Sequence, residues 1–402
     1  MNIDQARLFV WSGLIWQGAL RAYWVSLVVR ITIELDLPSL QLVLLGTAME
    51  LALLLAEVPT GVVADAYSRK WSVVIGFVGV GVAQVVAGVV EGFGALVVAQ
   101  VLWGVAYTFR SGAETAWVTD ELGGAEKVEP LLLRRARLQL VVSIFSIAGG
   151  ALLARLTSLS TSVVISGVIL IATGGVLAAT MQETPFAATG TLASLAGSAH
   201  SLRATLTAGA RAAWSRRSLR TLVLVLVLAG LAGEAVDRLD IRRLDDLGLS
   251  SEVDEIVIVG IIAAVEAALG AVVLWWSQPR LLGVRVTTGL GAMLLVSAIG
   301  IAALGLIAVL PVAAAGLVMQ GGIRSAAQPL ATTWTNAHAP SEVRATVHSF
   351  IEQANSLGEI GGGILLGTVA ALSTVPTAMA VSVALITAAG LVALTGPRTW
   401  QH

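Results

Sequence analysis

The chain has 402 residues, 56% of them hydrophobic and only 12% charged, with a mean hydropathy of +0.88 and a formal net charge of −1. Soluble domains carry about 25% charged residues, so a bilayer must be the solvent for most of this chain. The near-neutral balance excludes a general affinity for nucleic acid, and with no cysteine, disulfides and thiolate metal sites are excluded as well.

Residues 1–7 carry Asp4 and Arg7 and lead straight into a long apolar run without a small-residue cleavage site. That run reads as a first membrane span, not as a cleaved signal. A span needs about 20 mostly apolar residues. On that measure helices fall near 8–33, 39–63, 72–91, 94–119, 136–158, 161–181, 220–241, 254–276, 286–308, 311–335, 345–371 and 375–396, twelve in all. Helix is the required state, because lipid offers no partner to a backbone N–H or C=O. Barrel strands would alternate apolar and polar residues, and runs such as 221–231 do not. The expected fold is therefore an all-α membrane protein of twelve transmembrane helices in two pseudo-symmetric six-helix bundles.

Cations concentrate in the even-numbered connections: Arg69 and Lys70, then Lys127, Arg134, Arg135 and Arg137, then Arg203, Arg211, Arg216, Arg217 and Arg220, then Arg280 and Arg285, then Arg344. The odd-numbered ones hold little beyond Arg30, Arg155, Arg242 and Arg243. The positive-inside rule places both termini in the cytoplasm of a cell (inner) membrane. Trp71, Trp117, Trp275, Trp276 and Trp334 fall near the cytoplasmic ends, where an aromatic belt is expected.

The longest connection, 182–218, divides the chain into an N-terminal bundle over 1–182, a cytoplasmic linker over 183–218 and a C-terminal bundle over 219–402. Within the linker Leu202, Leu206, Ala210, Ala213 and Trp214 recur at helical spacing beside Arg203, Arg211, Arg216 and Arg217, the pattern of an interfacial amphipathic helix. The halves repeat. Arg110-Ser111 recurs as Arg324-Ser325 and Gly149-Gly150 as Gly362-Gly363, each about 214 residues on. Repeated halves are the usual build of secondary transporters.

After the second span stands Gly61-Val62-Val63-Ala64-Asp65-Ala66-Tyr67-Ser68-Arg69-Lys70. It resembles the loop signature of the major facilitator superfamily, matching at Gly61, Ala64, Asp65, Arg69 and Lys70 and departing at Val63, Ala66 and Ser68. The resemblance implies a gating role for Gly61, Asp65, Arg69 and Lys70, and a cavity lined by the first, fourth, seventh and tenth spans. The stretch around Arg110 partly resembles the family's second motif. Gly149-Gly150 keeps part of the third, drug-antiporter motif, although Phe145-Ser146 stand where Gly-Pro would be.

Charged residues inside spans cost about 2.5–3.5 kcal/mol each on insertion scales and are functional candidates by default. Arg21, Arg110, Asp237, Arg238 and Arg324, with the aromatic residues Trp24, Trp103 and Tyr107 and the amides Gln353 and Asn355, are expected to line the cavity. Arg110 and Glu114 stand four residues apart and can pair along their helix, as can Glu234 and Arg238. Glu50, Glu114 and Glu359 are the carboxylates expected to carry a coupling proton.

His200, His338, His348 and His402 lack metal-ligand spacing, and Lys70 and Lys127 are the only lysines, so no metal, cofactor or ATP site is expected. No nucleophile–base pattern points to an enzyme. The function expected is a monomeric secondary carrier moving a small organic solute by alternating access, most simply as proton-coupled efflux. Uptake of a nutrient or anionic metabolite, or a non-transporting receptor on the same fold, are the alternatives.

Overall fold

The structure, a computed structural model, describes residues 4–183, 207, 210–211, 214, 216–252, 254–281, 286–339 and 344–396. The elements are helical: α1 (Gln5–Val29), a π-helical turn (Arg30–Glu34), α2 (Ser39–Ala66), α3 (Arg69–Val89), α4 (Phe93–Ser111), α5 (Ala113–Leu122), α6 (Ala125–Leu156), α7 (Leu159–Thr180), α8 (Arg217–Asp245), α9 (Leu249–Glu252), α10 (Glu255–Leu281), α11 (Val286–Leu306), α12 (Leu310–His338), α13 (Arg344–Leu372) and α14 (Val375–Leu394). With α4 and α5 counted as one span and the single turn α9 set aside, the twelve expected spans are present among the described residues. Nine of them are apolar enough to cross a membrane on composition and length alone. The other three, α1, α12 and α13, are interrupted by polar residues such as Arg21, Arg324 and Glu359. The amphipathic linker helix lies almost wholly outside the described residues.

The chain forms two compact units. The first takes its residues from Met1–Leu35, Ala48–Leu202 and Ile256–Gly260, and the second from Asp36–Thr47, Arg203–Glu255 and Ile261–His402. Neither is held by water exclusion, because lipid tails are as apolar as leucine. Close approach of small residues and interior polar contacts must do that work. In the first unit, α3 and α7 touch at Gly81 and Gly167, where a Cβ on Gly81 would stand 2.5 Å from the Gly167 carbonyl oxygen. In the second, α11 and α14 touch at Gly291 and Gly390, where a Cβ on Gly291 would stand 2.9 Å from the Gly390 carbonyl oxygen. These helix pairs, third with sixth and ninth with twelfth, correspond across the repeat.

Helix ends repeat as well. Ser158 caps α7 by accepting from the Thr161 amide at 3.0 Å, and Thr374 caps α14 by accepting from the Thr377 amide at 3.3 Å. At the other polarity, Arg30 is 2% exposed and donates to the carbonyls of Val90 (2.9 Å) and Ala87 (3.4 Å), with a further bond to Ser160 (2.9 Å). It therefore satisfies carbonyls that the end of α3 leaves open, where a cation also meets the negative end of the helix dipole. Arg243 does the same for α11, donating to Leu304 at 3.3 Å and Ile307 at 3.4 Å. Two of the cations that stood against the positive-inside pattern are thus helix C-caps. Changing Arg30 to Gln should lower stability by about 1–3 kcal/mol, the range for buried carbonyls losing charged donors. Thermal unfolding in detergent measures this, and an unaltered melt would show that the cap carries no stability.

Two tryptophans need a corrected placement. Trp117 and Trp334 are 2% and 0% exposed, and each indole N–H has a protein acceptor: the Gln182 carbonyl at 2.6 Å and the Ser218 hydroxyl at 2.7 Å. They pack inside their own units instead of joining a belt, because the internal acceptors outcompete the interface for the indole N–H. Trp71, Trp275 and Trp276 are exposed, as a belt requires.

Candidate functional site

The second unit encloses a cavity of about 770 Å³, within the range of small-molecule sites. Five helices surround it, α8, α11, α12, α13 and α14. Among the expected site residues it is lined by Arg324, Asn355 and Glu359. One nitrogen of Arg324, Nη1, lies 2.6 Å from each carboxylate oxygen of Asp237, and the two side chains keep 44% and 40% of their surface open. The Asn355 amide donates to Glu359 at 3.0 Å across one helical turn. Gly230 and Gly233 on α8 face this group, and a Cβ on Gly233 would lie 3.6 Å from the Arg324 Nη1. Glycine there leaves space beside the guanidinium.

Asp237 thus reaches the cavity through Arg324, whereas Arg238 bonds Glu234 on its own helix at 3.1 Å. Gln353 is 4% exposed and its carbonyl oxygen has no partner among the described residues. It does not line the cavity.

In the first unit Trp24, Trp103 and Tyr107 pack on one another, and none of them lines the second unit's cavity. Trp103 stacks on Tyr107 at 5.1 Å and meets Trp24 edge-on at 5.6 Å, while Trp16 stands 6.0 Å from Tyr107. The series ends at Arg110, whose guanidinium lies 4.1 Å from the Trp16 ring centre and 5.3 Å from that of Phe77, in cation–π range. Arg110 pairs with Glu114 across the break at Gly112 that separates α4 from α5. The same Glu114 oxygen accepts from Arg135 at 2.9 Å, and the other oxygen is 3.3 Å from the Ser12 hydroxyl. Two guanidiniums share one carboxylate, and none of the three residues exceeds 8% exposure. Arg135 also covers Phe9 at 4.4 Å. Glu50 is half-buried on α2, and Arg21 is exposed on α1 with no ion pair among the described residues.

The loop motif is built around the start of α3. Ser68, where the family signature has glycine, is the N-cap and accepts from the Trp71 amide at 3.0 Å. Arg69 pairs with Asp65 at 3.3 Å and with Asp120 of α5. Glu183 completes the cap, taking hydrogen bonds from the Ser68 hydroxyl (2.5 Å) and from the amides of Arg69 (2.7 Å) and Lys70 (3.2 Å). A carboxylate at a helix N-terminus meets open N–H groups and the positive end of the dipole. Lys70 itself lies 5.7 Å from the Trp71 ring centre. A Cβ on Gly61 would meet nothing within 4 Å.

Sequence reasoning missed Ser12, Asp120, Arg135 and Glu183. Each acts on a residue at least 21 positions away, a distance at which helical periodicity says nothing.

A helical membrane protein whose halves repeat, with a solute-sized cavity inside one of them and an ion-paired motif at a loop, belongs to the class of membrane carriers. The sequence model of the Major Facilitator Superfamily matches residues 11–363, and the chain belongs to that superfamily. Solved transporters share the fold at low identity. A nucleoside transporter, NupG, superposes with a TM-score of 0.76 at 13% identity, covering 99% of this chain and 100% of that one. A bacterial homolog of the human lysosomal transporter Spinster gives 0.75 at 17%, covering 98% and 97%. A POT peptide transporter gives 0.76 at 10%, covering 97% and 93%. No curated protein matches the sequence significantly. The chain is a multi-pass membrane transporter of this superfamily.

Proposed function

We propose that this transporter moves a small organic solute by alternating access, coupled to protons and in the direction of export. The observation that carries the reading is Glu359, a carboxylate inside a solute-sized cavity, held by Asn355 and beside the Arg324–Asp237 pair. A coupling group must be reachable by water and must sit where a nearby charge alters its preference for a proton. Of the three carboxylates considered, Glu359 meets both conditions. Glu114 is occupied by two guanidiniums, which favours a fixed counter-ion role, and Glu50 is kept as a secondary candidate. Export is supported by the aliphatic residues in the cavity wall and by the partial third motif at Gly149-Gly150. Arg69, with Asp65, Asp120 and Glu183, supplies a lock that closes one conformation.

The polypeptide works as a monomer in the cell (inner) membrane with both termini cytoplasmic. Its bundles lie at 1–182 and 219–402, joined by the linker 183–218, a reading supported by the loop cations. The coupling is tested in inside-out vesicles energised by a pH gradient. Solute should accumulate and be released when a protonophore collapses the gradient. Accumulation that ignores the protonophore removes proton coupling. Asp65→Asn tests the lock: the variant should reach the membrane at normal levels and transport several-fold more slowly. Transport at the unaltered rate would remove the gating role.

A further inference from the structure

The walls of the second unit's cavity are divided by chemistry in a way that selects a class of solute. On α12, Gln320, Arg324 and Gln328 recur every four residues, and on α13, Glu352, Asn355 and Glu359 recur at three and four, so each helix turns one polar stripe inward. Across from them stand aliphatic and thioether side chains, Leu226 of α8 with Met293, Leu294 and Ile301 of α11. Charge is unequal within the polar side. Arg324 is the one guanidinium among the lining residues and is already engaged by Asp237. Glu352 and Glu359 then leave the lining with more carboxylates than cations. His348, the remaining titratable lining residue, is hydrogen-bonded to the Asn336 side-chain oxygen at 2.9 Å.

The wall also offers neutral polar groups. Ser297 and Gln320 are each 4% exposed and both line the cavity. A hydroxyl and an amide in the cavity wall can hydrogen-bond a solute's own polar atoms.

We infer that this cavity takes an organic cation: a positively charged head group set against Glu352 and Glu359, polar atoms met by Ser297 and Gln320, and an apolar body against α8 and α11. The assignment rests on the transport reading of the same cavity and adds to it the sign of the solute's charge. Glu352 becomes a specificity residue.

The test uses the full-length protein in lipid nanodiscs at neutral pH, with empty discs subtracted, and two probes of nearly equal shape and opposite charge, tetraphenylphosphonium and tetraphenylborate. The cation should bind at least about tenfold more tightly than the anion, the scale of one charge-assisted contact. Glu352→Gln should erase most of that preference, while Glu352→Asp keeps it. Equal binding of the two probes, or tighter binding of the borate, overturns the assignment, and this comparison on the unaltered protein needs no variant to fold. A preference unchanged in a folded Glu352→Gln protein overturns the role of Glu352. Cation binding without proton-linked movement would leave the assignment standing and remove the transport reading. Proton-linked movement of anions alone would do the reverse.

Discussion

Replacing Glu114 with alanine should destabilise the protein by about 3–5 kcal/mol, the cost of leaving buried charge without its partner. Glu114 is the shared counter-ion of Arg110 and Arg135, and the three residues lie between 5% and 8% exposed. Without it two guanidiniums face each other in a site screened by Trp16, Phe77 and Phe9. The effect is read as a fall in melting temperature and in yield of folded protein. A double change separates charge from packing. Glu114→Gln combined with Arg135→Gln should recover part of the loss, because one of the two repelling cations has gone. If the double variant is as unstable as the sum of the two single ones, the triad is three independent contacts and the shared counter-ion is not what stabilises it.

The second large effect concerns Glu359. Glu359→Gln keeps the hydrogen bonding to Asn355 within reach but removes the titrating group. Accumulation of solute against its gradient should fall to background, while exchange of labelled for unlabelled solute at equal pH persists, since exchange asks only for binding and reorientation. Retained uphill transport would remove Glu359 from the coupling step. Loss of both activities in a well-folded variant would instead make Glu359 a group required for binding or reorientation.

These outcomes also mark what the sequence could convey. The helices were legible because a bilayer admits only helices or closed barrels, and charges so rare must be spaced by spans. The Arg110–Glu114 and Glu234–Arg238 pairs were legible because residues four apart share a helix face. The break at Gly112 was not, since the run 94–119 is continuously apolar enough to read as one span. Arg135, Asp120 and Glu183 were hidden for another reason: they meet their partners through packing between helices, and no local pattern encodes that. Arg30 and Arg243 were read only as exceptions to a loop rule, although their repeat-related placement carried the signal of a shared structural task. Glu352 could have been found. It lies three residues before Asn355 and seven before Glu359, on the face those two already defined. Gln353, the neighbouring residue, is turned by about 100° around the helix and is buried.

The repeat itself comes out asymmetric at its most visible match. Arg110 and Arg324 occupy corresponding positions, yet the first is 7% exposed and locked in an ion triad while the second lines a cavity with 44% of its side chain open. Each half carries a guanidinium at this offset, and the surrounding carboxylates differ. One is an internal anchor and the other lines the cavity.

The most direct test of proton-linked transport is to reconstitute the purified protein in sealed liposomes holding a pH-sensitive dye, with no pH gradient and no nucleotide, and to add an organic cation outside. Inward movement of the cation should drive protons out and raise the internal pH, saturably, with no signal from Glu359→Gln. Cation uptake with no change in internal pH would contradict it.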